Sequence, residues 1–173
     1  MALLLRGSCV ALLLVLTALP SLAQRASHSN AAIPPRFGMG FNALLSSEDG
    51  LGLGIQGRAS APFNRDLSFA LDLGLTGFIL QGRDDASYVF SPQGSVIVTF
   101  PGTTKAPYFL GGVGGYIPLS NEDRSTGGPT LHFGLGYVQT LSETSVYYEV
   151  NPALIIGETE VNLVLPLRVG IIF

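Results

Sequence analysis

Two arginines and two carboxylates stand inside segments that are otherwise almost free of charge. Arg58 lies in GLGLGIQGRASA, Asp72 in LSFALDLGLTG, Glu149 in SVYYEVNPAL and Arg168 in VNLVLPLRVGIIF. An ionised group in an apolar setting must find an opposite charge, because burying it alone is too costly. Asn42, Gln56, Ser68, Thr76, His132 and Asn151 sit in segments of the same kind. Such a set could do three things. It could lock together as a structural plug, relay a proton or gate a pore, or place a base beside a nucleophile. The choice depends on whether these side chains share one enclosed face.

Alternation supplies that face. In Val161–Phe173 the odd positions Val161, Leu163, Leu165, Leu167, Val169, Ile171 and Phe173 are all apolar. The even positions are a mixed set that includes Arg168. A period of two means a β-strand with one face in an apolar medium and the other in something more polar, whereas a helix would scatter these residues around its circumference. The same cadence predicts strands over about 36–45, 51–61, 67–80, 87–100, 108–117, 130–140, 145–155 and 161–173. Pro92 and Gly94 suggest a bulge in the fourth strand. The fifth, YFLGGVGGYI, is too glycine-rich to reveal its facing.

Eight segments of about ten residues match the length a tilted strand needs to cross hydrocarbon. The chain ends on Phe173 after this alternating strand, and here it resembles bacterial outer-membrane β-barrel proteins, in particular the small OmpA/OmpX/OmpW-like group. The resemblance implies an all-β fold, an eight-stranded antiparallel up-and-down transmembrane β-barrel over residues 36–173. It also implies that Phe173, with Ile171 and Val169, belongs to the signal read by the barrel-assembly machinery. Trp is absent, so the interfacial aromatic girdles are expected from Phe63, Tyr88, Phe100, Tyr108, Tyr116, Tyr137, Tyr147 and Phe173.

The amino end fits the same address. Residues 1–23 hold Arg6, an apolar run over Cys9–Leu19, and small residues before Gln24, the pattern of a cleaved secretory signal peptide. Residues 24–35 read as a periplasmic lead-in. The single cysteine, Cys9, leaves with the signal, so no disulfide is expected in the mature chain. About 150 residues remain, one domain by length. Charged residues are 12% of the whole chain, too few for a well-solvated surface. No mature segment offers the ~18 apolar residues of a spanning helix, and a closed barrel reconciles the two observations. The formal charge of −3 becomes −4 without Arg6. No basic run marks a patch for nucleic acid or for an anionic membrane surface.

Parity then sharpens the site. Apolar positions are even on the seventh strand and odd on the eighth, so a two-residue turn at Glu158-Thr159 sets Glu149 opposite Arg168. The turn over 62–66 brings Arg58 near Asp72. A lumenal network of Arg58, Asp72, Glu149 and Arg168 is expected, with Gln56, His132 and Asn151 facing the same interior. Pro152 and Pro166 lack ladder donors, and a bulge at either would shift the register.

Catalysis has little support. Barrel lipid hydrolases resembling lipid A deacylase carry a His-x-Ser pattern, but His132 is followed two residues later by Gly134. His132 also falls near Ala153, about 13 Å along the strand from the level of Glu149. No catalytic residues, cofactor or metal are therefore expected. The function expected is a non-enzymatic outer-membrane barrel, with an envelope-bracing or surface-loop role and a side-chain-filled lumen. Its partners would be outer-membrane lipid and lipopolysaccharide, the chain acting as a monomer. One alternative is a barrel that binds or passes a small apolar ligand. Another is a secreted lipocalin-like barrel, which would turn its apolar residues inward.

Overall fold

A computed structural model describes residues 34–47, 50–78, 87–100, 105–119, 127–141, 144–157 and 160–173. The signal peptide over 1–23 and the lead-in as far as 33 lie outside the described residues. Nine strands follow in chain order: β1 (Arg36–Ser46), β2 (Gly50–Pro62), β3 (Leu67–Phe78), β4 (Ser87–Thr99), β5 (Lys105–Pro118), β6 (Gly128–Thr140), β7 (Ser145–Val150), β8 (Ala153–Ile156) and β9 (Val161–Ile172). Each pairs antiparallel with its neighbours, and β1 pairs with β9, so the sheet closes on itself. Closure leaves no edge strand with unpaired backbone groups.

The barrel has eight staves, because β7 and β8 are two halves of one. β6 meets β7 at Leu135–Val150 and β8 at Thr130–Ile155 with no change of register. The interruption falls at Asn151-Pro152, where the proline has no N–H to donate. The ladder persists through other groups: Phe133 N donates to Pro152 O, and Asn151 N donates to Pro166 O. Neither Pro152 nor Pro166 shifts the pairing.

Two expectations about β4 and β5 are corrected. The bulge expected at Pro92 and Gly94 is absent, since β4 keeps one continuous register with β3 from Leu67–Val98 to Phe78–Ser87. On the β5 side, pairing lapses only at Ser91-Pro92 and resumes at Phe90–Ile117 in the same register. Strand β5 begins at Lys105, three residues before the expected start, because it pairs with β6 from Lys105–Gln139 onward, while Phe100 N donates to Pro107 O on its other side. Its even positions face inward, including Tyr108, Leu110 and Tyr116.

The facing rule holds around the barrel. Phe37, Phe41, Leu53, Phe69, Phe133, Leu163 and Leu167 are exposed on the outside, and Arg58, Asp72, Glu149 and Arg168 are buried inside. That is the reverse of a lipocalin-like barrel. The expected girdle is corrected in part. Phe63, Tyr88, Phe100, Tyr137 and Phe173 face out, but Tyr108, Tyr116 and Tyr147 are buried in the lumen. For Tyr147, alternation outweighs aromatic character, since its neighbour Tyr148 takes the outward position and stacks on Tyr137 at 5.1 Å.

The rim where β1 begins and β9 ends is called here the terminal rim, and the opposite one the far rim. Toward the far rim, Leu44, Phe78, Val89, Tyr116, Ala153, Ile155 and Val164 form a buried apolar cluster. A second apolar cluster, Ala70, Ile97, Tyr108 and Leu110 with Val138 against it, lies on the terminal-rim side of β3–β6. Buried polar side chains, among them Asn42, Gln56, Asp72, Gln93 and Asn151, share the interior with these clusters.

Candidate functional site

Two hairpins deliver the four charges. In the β2–β3 hairpin Arg58 is the direct cross-strand partner of Asp72, and its Nε donates to Asp72 Oδ1 at 2.7 Å. Between β7 and β9, Glu149 is the direct partner of Arg168, whose Nη1 donates to Glu149 Oε1 at 3.0 Å. The two pairs are joined across the lumen, where Arg58 Nη2 donates to Glu149 Oε2 at 2.9 Å. The structure thus brings Arg58, Asp72, Glu149 and Arg168 into one chain of ion pairs. Their side chains are at most 4% exposed, so solvent does not screen them as it would a surface pair.

Neutral groups complete the network. Tyr108 Oη donates to Glu149 Oε2 at 2.9 Å, giving this carboxylate three donors. Arg168 Nη2 donates to Gln93 Oε1 at 2.6 Å, and Asn151 Nδ2 approaches the same oxygen at 3.4 Å. Gln56 Nε2 donates to Tyr147 Oη at 2.6 Å, while the Arg58 guanidinium lies 4.8 Å from the centre of the Tyr147 ring. Asn42 Nδ2 donates to Thr76 Oγ1 nearer the far rim. Several buried atoms, among them Asp72 Oδ2, Asn151 Oδ1 and Arg168 Nε, have no hydrogen-bond partner among the described residues.

Glycines opposite the large side chains make this packing possible. A Cβ at Gly170 would lie 2.5 Å from Tyr147 Cε1, and one at Gly40 would lie 2.8 Å from Tyr147 Oη. Likewise a Cβ at Gly136 would stand 2.6 Å from Tyr108 Cζ. These separations are far inside van der Waals contact, so the tyrosines occupy room that only glycine leaves.

His132 stands apart from the charges. It is opposite Ala153 on β8 and opposite Gly112 on β5, which is in turn opposite Ser95 on β4. With no side chain at Gly112, His132 Nε2 and Ser95 Oγ meet across β5 at 2.9 Å. A serine therefore touches the histidine from another strand, which a local His-x-Ser pattern could not reveal. His132 Nδ1 has no hydrogen-bond partner among the described residues, so no carboxylate orients the ring, and both side chains are buried. The nucleophile–base contact lacks its third member. Among the described residues no group of three or more His, Cys, Asp or Glu could hold a metal ion.

Sequence reasoning missed Gln93, Ser95, Tyr108 and Tyr147 as site residues. Pro92, Gly94 and the glycines of β5 obscure the facing of the first three, whereas alternation on the seventh strand does signal Tyr147. Phe173, Ile171 and Val169 lie on or beside the outer face of β9. Phe173 N donates to Phe37 O and Phe37 N to Phe173 O, so the last residue fastens the closing seam.

No protein-family model matches the chain, and no curated relative matches it. Solved structures do. Neisserial surface protein A (NspA) aligns with a TM-score of 0.66 at 15% identity, covering 80% of this chain and 95% of that one. Ail, the attachment invasion locus protein of Yersinia pestis, aligns at 0.53 and 15% identity, covering 80% and 97%. The N-terminal β-barrel domain of Pseudomonas aeruginosa OprF aligns at 0.52 and 18% identity, covering 80% and 97%. Backbone likeness at such low identity speaks to architecture, and it agrees with the closed sheet described above. The chain has the fold of the small eight-stranded outer-membrane β-barrels.

Proposed function

We propose that the protein is an integral outer-membrane barrel with a closed lumen, acting without catalysis to brace the envelope or to display its short connections. The observation that carries this reading is the facing of the wall. Apolar side chains cover the outside, and Arg58, Asp72, Glu149 and Arg168 are all buried inside. In water such an exterior would drive aggregation; in hydrocarbon it is the solvated state.

The closed lumen is supported by the far-rim apolar cluster, in which Val89, Ile155 and Tyr116 are 1%, 2% and 3% exposed. In this reading the signal over 1–23 exports the chain, and Phe173 with Ile171 and Val169 engages the barrel-assembly machinery. The longer connections face outward, and lipopolysaccharide and lipid are the surroundings.

Cell fractionation with heat-modifiable gel migration tests the location. A mature chain found in the soluble fraction would overturn it. Planar-bilayer recording tests the closed lumen, for which no sustained conductance steps are expected.

A second reading, binding of a small apolar ligand, is favoured by one feature. Outside the barrel, Ala43 forms a low point between Phe41, Leu53, Leu167 and Val169, in a groove of about 390 Å³. An acyl chain is the ligand that such a groove on the outer wall would take.

A further inference from the structure

Among the described residues, the outer wall carries aromatic contacts of two kinds. Phe63 meets Phe69 at 85° and Phe100 meets Phe109 at 89°, both edge-on. Tyr137 and Tyr148 instead lie face to face, with ring centroids 5.1 Å apart and planes 25° from parallel. Register explains this contact, since Tyr137 on β6 and Tyr148 on β7 are direct cross-strand partners. Each stands close to the 141–144 turn, and the two are 39% and 42% exposed on the outside of the barrel.

These two rings also differ from their neighbours in chemistry. A phenol gives up its O–H hydrogen atom to a one-electron oxidant, and the phenylalanine pairs have none to give. The other outward tyrosine, Tyr88, lies on β4 near the far rim, while Tyr108, Tyr116 and Tyr147 are buried in the lumen. Trp is absent from the chain, and Cys9 lies outside the described residues. The outward Met39 reacts differently, taking up oxygen as a sulfoxide. A radical arriving at this part of the wall therefore finds two tyrosines already in contact.

Going beyond the envelope role above, we propose that Tyr137 and Tyr148 form an oxidative modification site, at which lipid-borne peroxyl radicals join the two rings as dityrosine. One peroxyl radical takes the phenolic hydrogen of Tyr137 and a second takes that of Tyr148. The products are two lipid hydroperoxides and two phenoxyl radicals. A C–C bond then forms between the Cε carbons beside the two hydroxyls, and each of those carbons passes its hydrogen to its own ring's oxygen, restoring the phenol. The protein loses two hydrogen atoms and two radicals are consumed. The link ties β6 to β7 across the turn, and the tyrosines inside the lumen are spared.

The test folds the mature chain into vesicles, checks insertion by heat-modifiable migration, and generates peroxyl radicals in the bilayer with a lipid-soluble azo initiator in air. Cleavage after glutamate in the denatured product separates the two residues, because Glu143 lies between them. The peptides ending at Glu143 and Glu149 should be recovered joined, lighter by two hydrogens and with dityrosine fluorescence, from a chain that still runs as a monomer on a denaturing gel. The joined peptide should vanish in Y137F and in Y148F and persist in Y88F. An inserted protein that yields no joined peptide, a link that survives in Y148F, or links formed only between copies would overturn the site while leaving the membrane reading intact. A chain that never inserts overturns both.

Discussion

Arg58 and Glu149 are 91 positions apart in the chain and 2.9 Å apart in the barrel. Their contact joins two hairpins that are each already paired, Arg58 with Asp72 and Glu149 with Arg168. Glu149 is the hub, since it accepts from both arginines and from Tyr108.

Replacing that hub should therefore be the most damaging single change in the lumen. Glu149→Gln keeps the shape but leaves Arg58 and Arg168 without a shared counter-charge. The expected loss is about 3–5 kcal/mol, the cost of breaking a buried pair from one side. Urea unfolding in lipid vesicles measures it. A midpoint equal to that of the unaltered protein would show that the network contributes nothing.

Asp72→Asn should cost less, about 1–3 kcal/mol, because Arg58 retains Glu149 and the amide oxygen still accepts. Combined with Glu149→Gln the two losses should not add, since both act on Arg58. A double-mutant cycle should return a coupling of about 0.5–3 kcal/mol. Strict additivity would mean that Asp72 and Glu149 are not coupled through Arg58.

Gly170→Ala tests the packing of Tyr147. The added methyl would fall 2.5 Å from Tyr147 Cε1 and 2.6 Å from Met39 O. Part of that crowding involves backbone, which side-chain rotation cannot relieve. A destabilisation of about 1–3 kcal/mol is expected, read as a lowered urea midpoint. Gly57→Ala is the control, since a Cβ there meets nothing within 4 Å, and it should unfold at the same midpoint as the parent.

Phe173→Ala separates assembly from stability. The backbone bonds between Phe173 and Phe37 survive the substitution, and the residue is 60% exposed. Refolding into vesicles should therefore proceed nearly as before, while the amount of heat-modifiable barrel in the outer-membrane fraction of cells should fall several-fold. Equal cellular yields would remove the assembly role from this residue.

Much of the architecture was legible because alternation reports facing wherever side chains differ in polarity. Glu149 and Arg168 could be set opposite each other from the parity of two strands and a two-residue turn. Arg58 and Asp72 followed from the turn between β2 and β3. Legibility failed where residues carry no facing signal. A glycine looks alike from either side, so β5 gave no indication that Tyr108 reaches inward to Glu149. Pro92 suggested a bulge, yet the loss of one donor is tolerated within a continuous register. Contacts across the lumen were the least legible. Arg58–Glu149 and Ser95–His132 depend on how the wall curves, and hairpin register alone does not contain that information.

The pairing within each hairpin bears on how such a chain could enter a membrane at all. Arg58 travels with Asp72 and Glu149 with Arg168, so neither hairpin need bring an unbalanced charge into oil while the wall is still incomplete. The bonds that cross the interior, Arg58 to Glu149 and Gln56 to Tyr147 among them, must wait until the two halves meet. Such contacts thus report a finished cylinder.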